Sequence, residues 1–285
     1  MPIAIVGLLL CSALLHAGWN LLVKCAGEKL VFTWWALIVG CIGFGPVLLF
    51  APRLPLRVWP YILFSTLFEV AYFFTLTHAY DHGDFSLVYP IARGTAPGLL
   101  AVWSALFLGE IPRAGGFAGL ALLLCGLIIV GGGAQWLRRK RQAVGAGGIT
   151  TALVTACCIS VYSVIDGAAV KFASPLPYAV LVLGTTAICT TPIVVARYGR
   201  RVIAAEWWAN WPRIFIVGLF SLTTYALVLV AFSRARVTYV GAVREVSIVF
   251  AALIGWRFLG ETFGPLRTIG ALLIFIGIFT IALAG

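Results

Sequence analysis

Charged residues are what this chain has least of. Only 10% of its 285 residues are Asp, Glu, Lys or Arg, against about 25% in a soluble domain. No segment between its apolar runs is long and polar enough to make a separate water-exposed domain, so a soluble fold is excluded. Acids are the scarcest class, nine against 20 basic residues. There is no pair of acids, nucleophile–base set or ligand cluster of the kind a membrane enzyme on lipid-linked substrates needs. The seven cysteines are odd in number and show no CxxC or Cys/His spacing, so neither a disulfide framework nor a metal site is indicated. Asp81, His82 and Asp84 read as turn and cap residues rather than metal ligands. A GxxxxGK[ST] loop is absent, which argues against direct ATP coupling, and no cofactor is expected. No basic region precedes the first apolar run, which reads as a spanning helix and not as a cleaved signal.

What remains is apolar: 62% hydrophobic residues and a mean hydropathy of +1.07. About 20 apolar residues cross the hydrocarbon core, and on that measure ten segments qualify. They are 3–23, 31–50, 58–80, 85–108, 115–134, 149–170, 178–196, 214–233, 238–258 and 266–284. The net charge of +11 sits largely in short connections such as Arg138-Arg139-Lys140-Arg141. There it orients helices and meets anionic lipid, and no nucleic-acid partner is expected. A longer polar stretch, 197–213, reads as a loop whose Trp207, Trp208 and Trp211 form an interfacial belt.

The second half repeats the first. LVYPIARGTAPGLLAVWSALFLGE (87–110) is echoed by YVGAVREVSIVFAALIGWRFLGE (239–261), and Arg93 to Arg244 and Glu110 to Glu261 are the same 151-residue step. Trp59-Pro60 matches Trp211-Pro212, and Gly119 and Gly126 match Gly270 and Gly277. Lys24 matches Lys171, and Pro46 matches Pro192. All five segment pairs are thus collinear, dividing the chain into a first repeat (1–134), a basic connection (135–148) and a second repeat (149–285). Five helices is an odd number, so the second copy enters the membrane in the opposite sense. The expected fold is an all-α integral membrane bundle of ten transmembrane helices in two inverted five-helix repeats. That architecture belongs to alternating-access carriers, whose site lies near the midplane between the halves.

Ten such segments, Gly-Glu after the fourth of each half, and Trp19-Asn20…Lys24 in the first resemble the drug/metabolite transporter superfamily, most nearly its EamA-type permeases. The resemblance covers the whole chain. It implies a central cavity lined mainly by helices three, four, eight and nine, with parts of one and six. It also implies export or exchange of amino acids, nucleotide conjugates, phosphate esters or amphiphilic compounds. The charge count places both termini outside, since Lys and Arg are more numerous after odd-numbered segments; the resemblance implies both inside.

The candidate site residues are the polar groups deep in the spans. Arg93 lies eight residues into its segment, roughly 12 Å at 1.5 Å per residue. Pro90, Gly94 and Pro97 surround it and predict a broken helix with free carbonyls. Arg93 and Arg244 suit a carboxylate or phosphate-like group, or else form packing ion pairs with Glu69 or Glu245. Glu69, near the midplane, has uncharged Ser221 as its counterpart, which suits coupling of a proton or ion, or neutralisation of an arginine. Glu245 adjoins Arg244, about 100° away on a helix, so these two do not readily pair. His16, Asn20 and Lys24 form an i, i+4 stripe beside Trp19, either lining a cavity or bonding between helices. Asp166 faces the cavity or bonds Lys171. Tyr72, Tyr89, Tyr162 and Tyr225 stack on substrate or fill the core. Gly109-Glu110 and Gly260-Glu261 read as helix ends.

Together these features predict a secondary active transporter of small polar organic metabolites, tilted by the arginines to anions or zwitterions. An exporter of aromatic or cationic amphiphiles is the alternative, weakened because the first helix lacks the proton-coupling glutamate of the small multidrug-resistance relatives. Expected partners are the small-molecule substrate, membrane lipid, and a coupling proton or counter-substrate, in a monomer or homodimer. The expected location is a bacterial cytoplasmic membrane.

Overall fold

The structure, a computed structural model, describes residues 1–24, 26–82, 85–130, 146–250, 253 and 265–284. The described residues form helices and no strand: α1 (Ile3–Lys24), α2 (Lys29–Phe44), α3 (Val47–Phe50), α4 (Trp59–His82), α5 (Phe85–Leu108), α6 (Ala114–Val130), α7 (Ala146–Ala169), α8 (Pro175–Arg234), α9 (Val237–Arg244) and α10 (Pro265–Ala284). Five of the helical stretches are long and apolar enough to cross a membrane, and α6 and α10 add shorter apolar helices. Most of the basic connection and the end of the ninth segment, with Gly260 and Glu261, lie outside the described residues. The helix α7 opens at Ala146, inside the stretch assigned to the connection.

Two sequence expectations change. The polar stretch 197–213 is not a loop: α8 runs through it for 60 residues with one non-helical residue, Gly199 at φ 70°. Glycine adopts that conformation without steric cost, so a single residue turns the chain where a long connection was expected. The stretch is then held by packing. Trp207 stacks on Trp35 at 4.8 Å, the Trp35 indole donates to the Ile203 carbonyl, and Glu206 accepts from the Glu28 N–H that opens α2. Trp208 and Trp211 stay exposed; Trp207 does not belong to an outward belt.

The second change concerns breaks. The helix α5 continues past Pro97 from Phe85 to Leu108. The discontinuity lies instead in the other half, where α9 ends at Arg244 and a turn follows. There the N–H groups of Glu245 and Val246 reach back only three residues, to the carbonyls of Ala242 and Val243, the tighter 3₁₀ pattern.

Packing is closed under exchange of the two halves. The first helix of each half lies on the third and fourth of the other: α7 on α4 and α5, and α1 on α8 and α9. The helices α2 and α8 form a further pair, and α6 and α10 another. Between α6 and α10 the backbones nearly touch. A Cβ on Gly119 would lie 2.8 Å from the Gly277 carbonyl oxygen, and one on Gly126 would lie 2.5 Å from that of Gly270. Gly119 matches Gly270 in the repeat and Gly126 matches Gly277, so the two contacts are images of one another across an antiparallel pair. Small residues that admit such approach are the usual basis of helix association in lipid.

The halves are also tied at one end of the bundle. Gly109, at φ 64°, closes α5 in a left-handed conformation, and the Glu110 N–H returns to the Ser104 carbonyl six residues back. The Glu110 carboxylate then accepts from the N–H of Thr238 at the start of α9, at 3.2 Å. Arg236 donates to the Ile111 carbonyl beside it. Glu110 therefore ends one helix and caps another from the opposite half.

Candidate functional site

A cavity of ≈ 90 Å³ lies where the halves meet. Of the predicted residues, His16, Trp19, Glu69, Tyr72, Arg93, Tyr162, Tyr225 and Arg244 line it. They come from α1, α4, α5, α7, α8 and α9, so both repeats build the wall.

The two arginines converge on one acid. Glu245, 1% exposed, lies behind them with Oε2 2.9 Å from the Nε of Arg93 and Oε1 3.3 Å from the Nε of Arg244. Arg244 and Glu245 therefore do pair, against the expectation from helical spacing. Both side chains are long enough for their polar ends to meet across that step, with Arg244 Nε 3.3 Å from Glu245 Oε1. Arg93 extends the set to α1 through Nη2, 3.1 Å from His16 Nε2. A guanidinium only donates, so that imidazole nitrogen accepts.

Among the described residues, Glu245 is the carboxylate that both guanidinium groups reach at the cavity wall. The remaining acid facing it is Glu69, buried at 5% exposure. Glu69 takes part in none of the ion pairs or hydrogen bonds of the described residues. The ion-pair alternative is thus realised with Glu245 and not with Glu69. Breaking a buried pair by removing one partner costs on the order of 3–5 kcal/mol, so this set both shapes the site and holds α1, α5 and α9 together.

Asp166 sits behind the wall rather than in it. Its Oδ1 accepts from Ser65 Oγ at 2.6 Å and from Tyr178 Oη at 2.8 Å, and its Oδ2 accepts from Tyr225 Oη at 2.6 Å. It does not bond Lys171, whose ammonium donates to the carbonyls of Phe232 and Ala235 at the end of α8. Three donors satisfy a fully buried carboxylate and fix the Tyr225 ring at the cavity edge. Tyr72 and Tyr162 meet edge to face at 6.1 Å on the opposite side.

Asn20 turns away, its amide donating to the His16 carbonyl one turn back at 2.8 Å. Trp19 packs edge-on against His16 with ring centroids 4.8 Å apart. The side chains of Tyr89 and Lys24 lie outside the described residues. The sequence reading missed Ser65, Tyr178, Phe73 and Thr224. Ser65 stands one turn before Glu69 on the same helix face, a signal that was available; Tyr178, at a segment boundary, carried none.

A bundle of apolar, membrane-length helices around a cavity with Arg93 and Arg244 in its wall defines a multi-pass integral membrane protein. The sequence profile of the EamA-like transporter family matches residues 3–132 and again 146–283. The chain belongs to that family, and with it to the drug/metabolite transporter superfamily of membrane transporters. A solved structure titled "Crystal structure of protein" shares the fold with a TM-score of 0.78 over 99% of each chain, at 19% identity. No curated protein matches the chain.

Proposed function

We propose that this transporter is a secondary active carrier of small anionic or zwitterionic organic metabolites, such as amino acids or compounds bearing a phosphonate or phosphate group. The observation that carries this is the convergence of Arg93 and Arg244, equivalent residues of the two repeats, on the single carboxylate of Glu245 at the cavity wall. Guanidinium groups at a cavity wall are suited to hold an anion by charge-assisted hydrogen bonds. Ten transmembrane helices in two inverted repeats, one rocking against the other, supply the alternating access. The antiparallel α6–α10 pair and the half-exchanging packing support that arrangement. A proton or counter-substrate drives the cycle, in a monomer or homodimer of a bacterial cytoplasmic membrane.

One observation favours a second reading. Glu69 faces the cavity beside Tyr72, Phe73, Tyr162 and Tyr225, a setting that suits an aromatic cation.

Thermal unfolding of detergent-purified protein against a panel of carboxylates, phosphonates, phosphate esters, amino acids and aromatic cations separates the two. A ligand at about 100 times its dissociation constant adds roughly 2.7 kcal/mol to the folded state. Anions or zwitterions are expected to stabilise the wild type and not Arg93→Gln/Glu245→Gln, which removes one charge of each sign. Stabilisation by cations alone, lost in Glu69→Gln, overturns the anion reading.

A further inference from the structure

A second cavity, of ≈ 290 Å³, opens among the ends of three helices and the kink of α8, and shares no residue with the central one. Leu30 opens α2, His78 stands near the end of α4, Thr151 lies in the first turns of α7, and Arg197 precedes the kink in α8. Phe74 and Thr75 complete its lining. The lining combines a guanidinium, an imidazole and two hydroxyls with two apolar side chains. No carboxylate lines it among the described residues.

The hydroxyl side is organised from within. Thr155 Oγ1 donates to Thr75 Oγ1 at 3.0 Å, joining α4 to α7 just below the cavity floor. Arg197 lies over its neighbour Tyr198 at 5.5 Å and makes no ion pair among the described residues. The ends of spanning helices lie near the membrane surface, where a basic residue such as Arg197 draws anionic headgroups. Leu30 and Phe74 supply apolar lining for an acyl or other apolar portion.

We infer that this cavity binds a phosphate group attached to an apolar moiety, with Arg197 as the charged ligand and His78 and Thr151 as hydrogen-bonding partners. The same chemistry is offered by an anionic phospholipid headgroup and by a soluble phosphate ester in the aqueous phase at that face. The inference does not depend on what the central cavity carries.

Native mass spectrometry of the detergent-purified full chain tests it, with phosphatidylglycerol, phosphatidylcholine and inorganic phosphate as separate probes. Arg197→Gln and His78→Gln are compared with Arg53→Gln, an exposed arginine outside both cavities. A lipid site is expected to retain phosphatidylglycerol over phosphatidylcholine. Retention should be about fivefold weaker in Arg197→Gln, the ratio given by roughly 1 kcal/mol per basic residue, and unchanged in Arg53→Gln. Phosphate binding lost in Arg197→Gln without a preference between the lipids assigns the site to a soluble anion instead. Should Arg197→Gln fail to fold, His78→Gln carries the same comparison. Equal retention of both lipids, with phosphate binding absent or indifferent to Arg197 and His78, overturns the inference.

Discussion

Arg93 and Arg244 stand 151 residues apart in the chain and occupy opposite oxygens of the same carboxylate, that of Glu245, at 2.9 and 3.3 Å. The symmetry of the sequence thereby ends in an asymmetric object: two equivalent cations and one acid belonging to the second repeat. Arg93 reaches Glu245 from the other half, so the contact is a joint between halves as well as a cavity wall.

Removal of one member should therefore cost more than removal of a balanced pair. Arg93→Gln alone is expected to lower stability by about 3–5 kcal/mol, because Glu245 is left buried with weaker compensation. In Arg93→Gln/Glu245→Gln part of that loss should return, a coupling of roughly 0.5–3 kcal/mol. A double-mutant cycle by chemical or thermal unfolding in detergent reads it; strict additivity would sink the shared-carboxylate account.

The Asp166 cluster predicts a graded series. Tyr225→Phe and Tyr178→Phe each remove one donor to Asp166, while Asp166→Ala strands both phenols and Ser65. Each single loss should cost about 1–3 kcal/mol. Tyr225→Phe should also weaken ligand binding, since Tyr225 lines the cavity and Tyr178 does not. Equal binding by the two variants would separate Asp166 from the site.

Between α6 and α10, Gly126→Ala should be destabilising by about 1–3 kcal/mol through overpacking, because its Cβ would lie 2.5 Å from the Gly270 carbonyl oxygen. Gly277→Ala should behave alike. Gly7→Ala, where a Cβ meets nothing within 4 Å, is the matched control. A comparison of unfolding midpoints suffices.

Glu110→Gln weakens the cap that the first half places on α9, and Thr238→Ala removes its hydroxyl. Each should cost on the order of 0.5–2 kcal/mol, as lost helix caps do. Hydrogen exchange should rise locally at residues 237–240. Uniform change across the protein would mean that the contact does not set the start of this helix.

The apolar helices and the duplicated pattern were legible because lipid demands long apolar runs with internally satisfied backbones, and those runs are visible in one dimension. The convergence of His16, Glu69, Arg93 and Arg244 was legible for a related reason. Deep polar groups in lipid turn inward toward partners or a wet cavity, so a list of them is nearly a list of the site. The pairing of Arg244 with Glu245 was not legible, since the reach of two long neighbouring side chains is not set by helical spacing. The course of 197–213 was misread because its polarity resembles a loop, whereas contacts with Trp35 and the start of α2 hold it helical.

By itself, then, the sequence determined that the chain lies in a membrane, that it is a duplicated set of helices, and which polar residues turn inward. Hydropathy, repeat period and the cost of charge in lipid are properties of order along the chain. Which acid neutralises the arginines, that Asp166 is tied by three hydroxyls, and that Asn20 turns back on its own helix were decided only in three dimensions. Those outcomes depend on distances of a few ångströms between side chains, most of them on helices far apart in sequence.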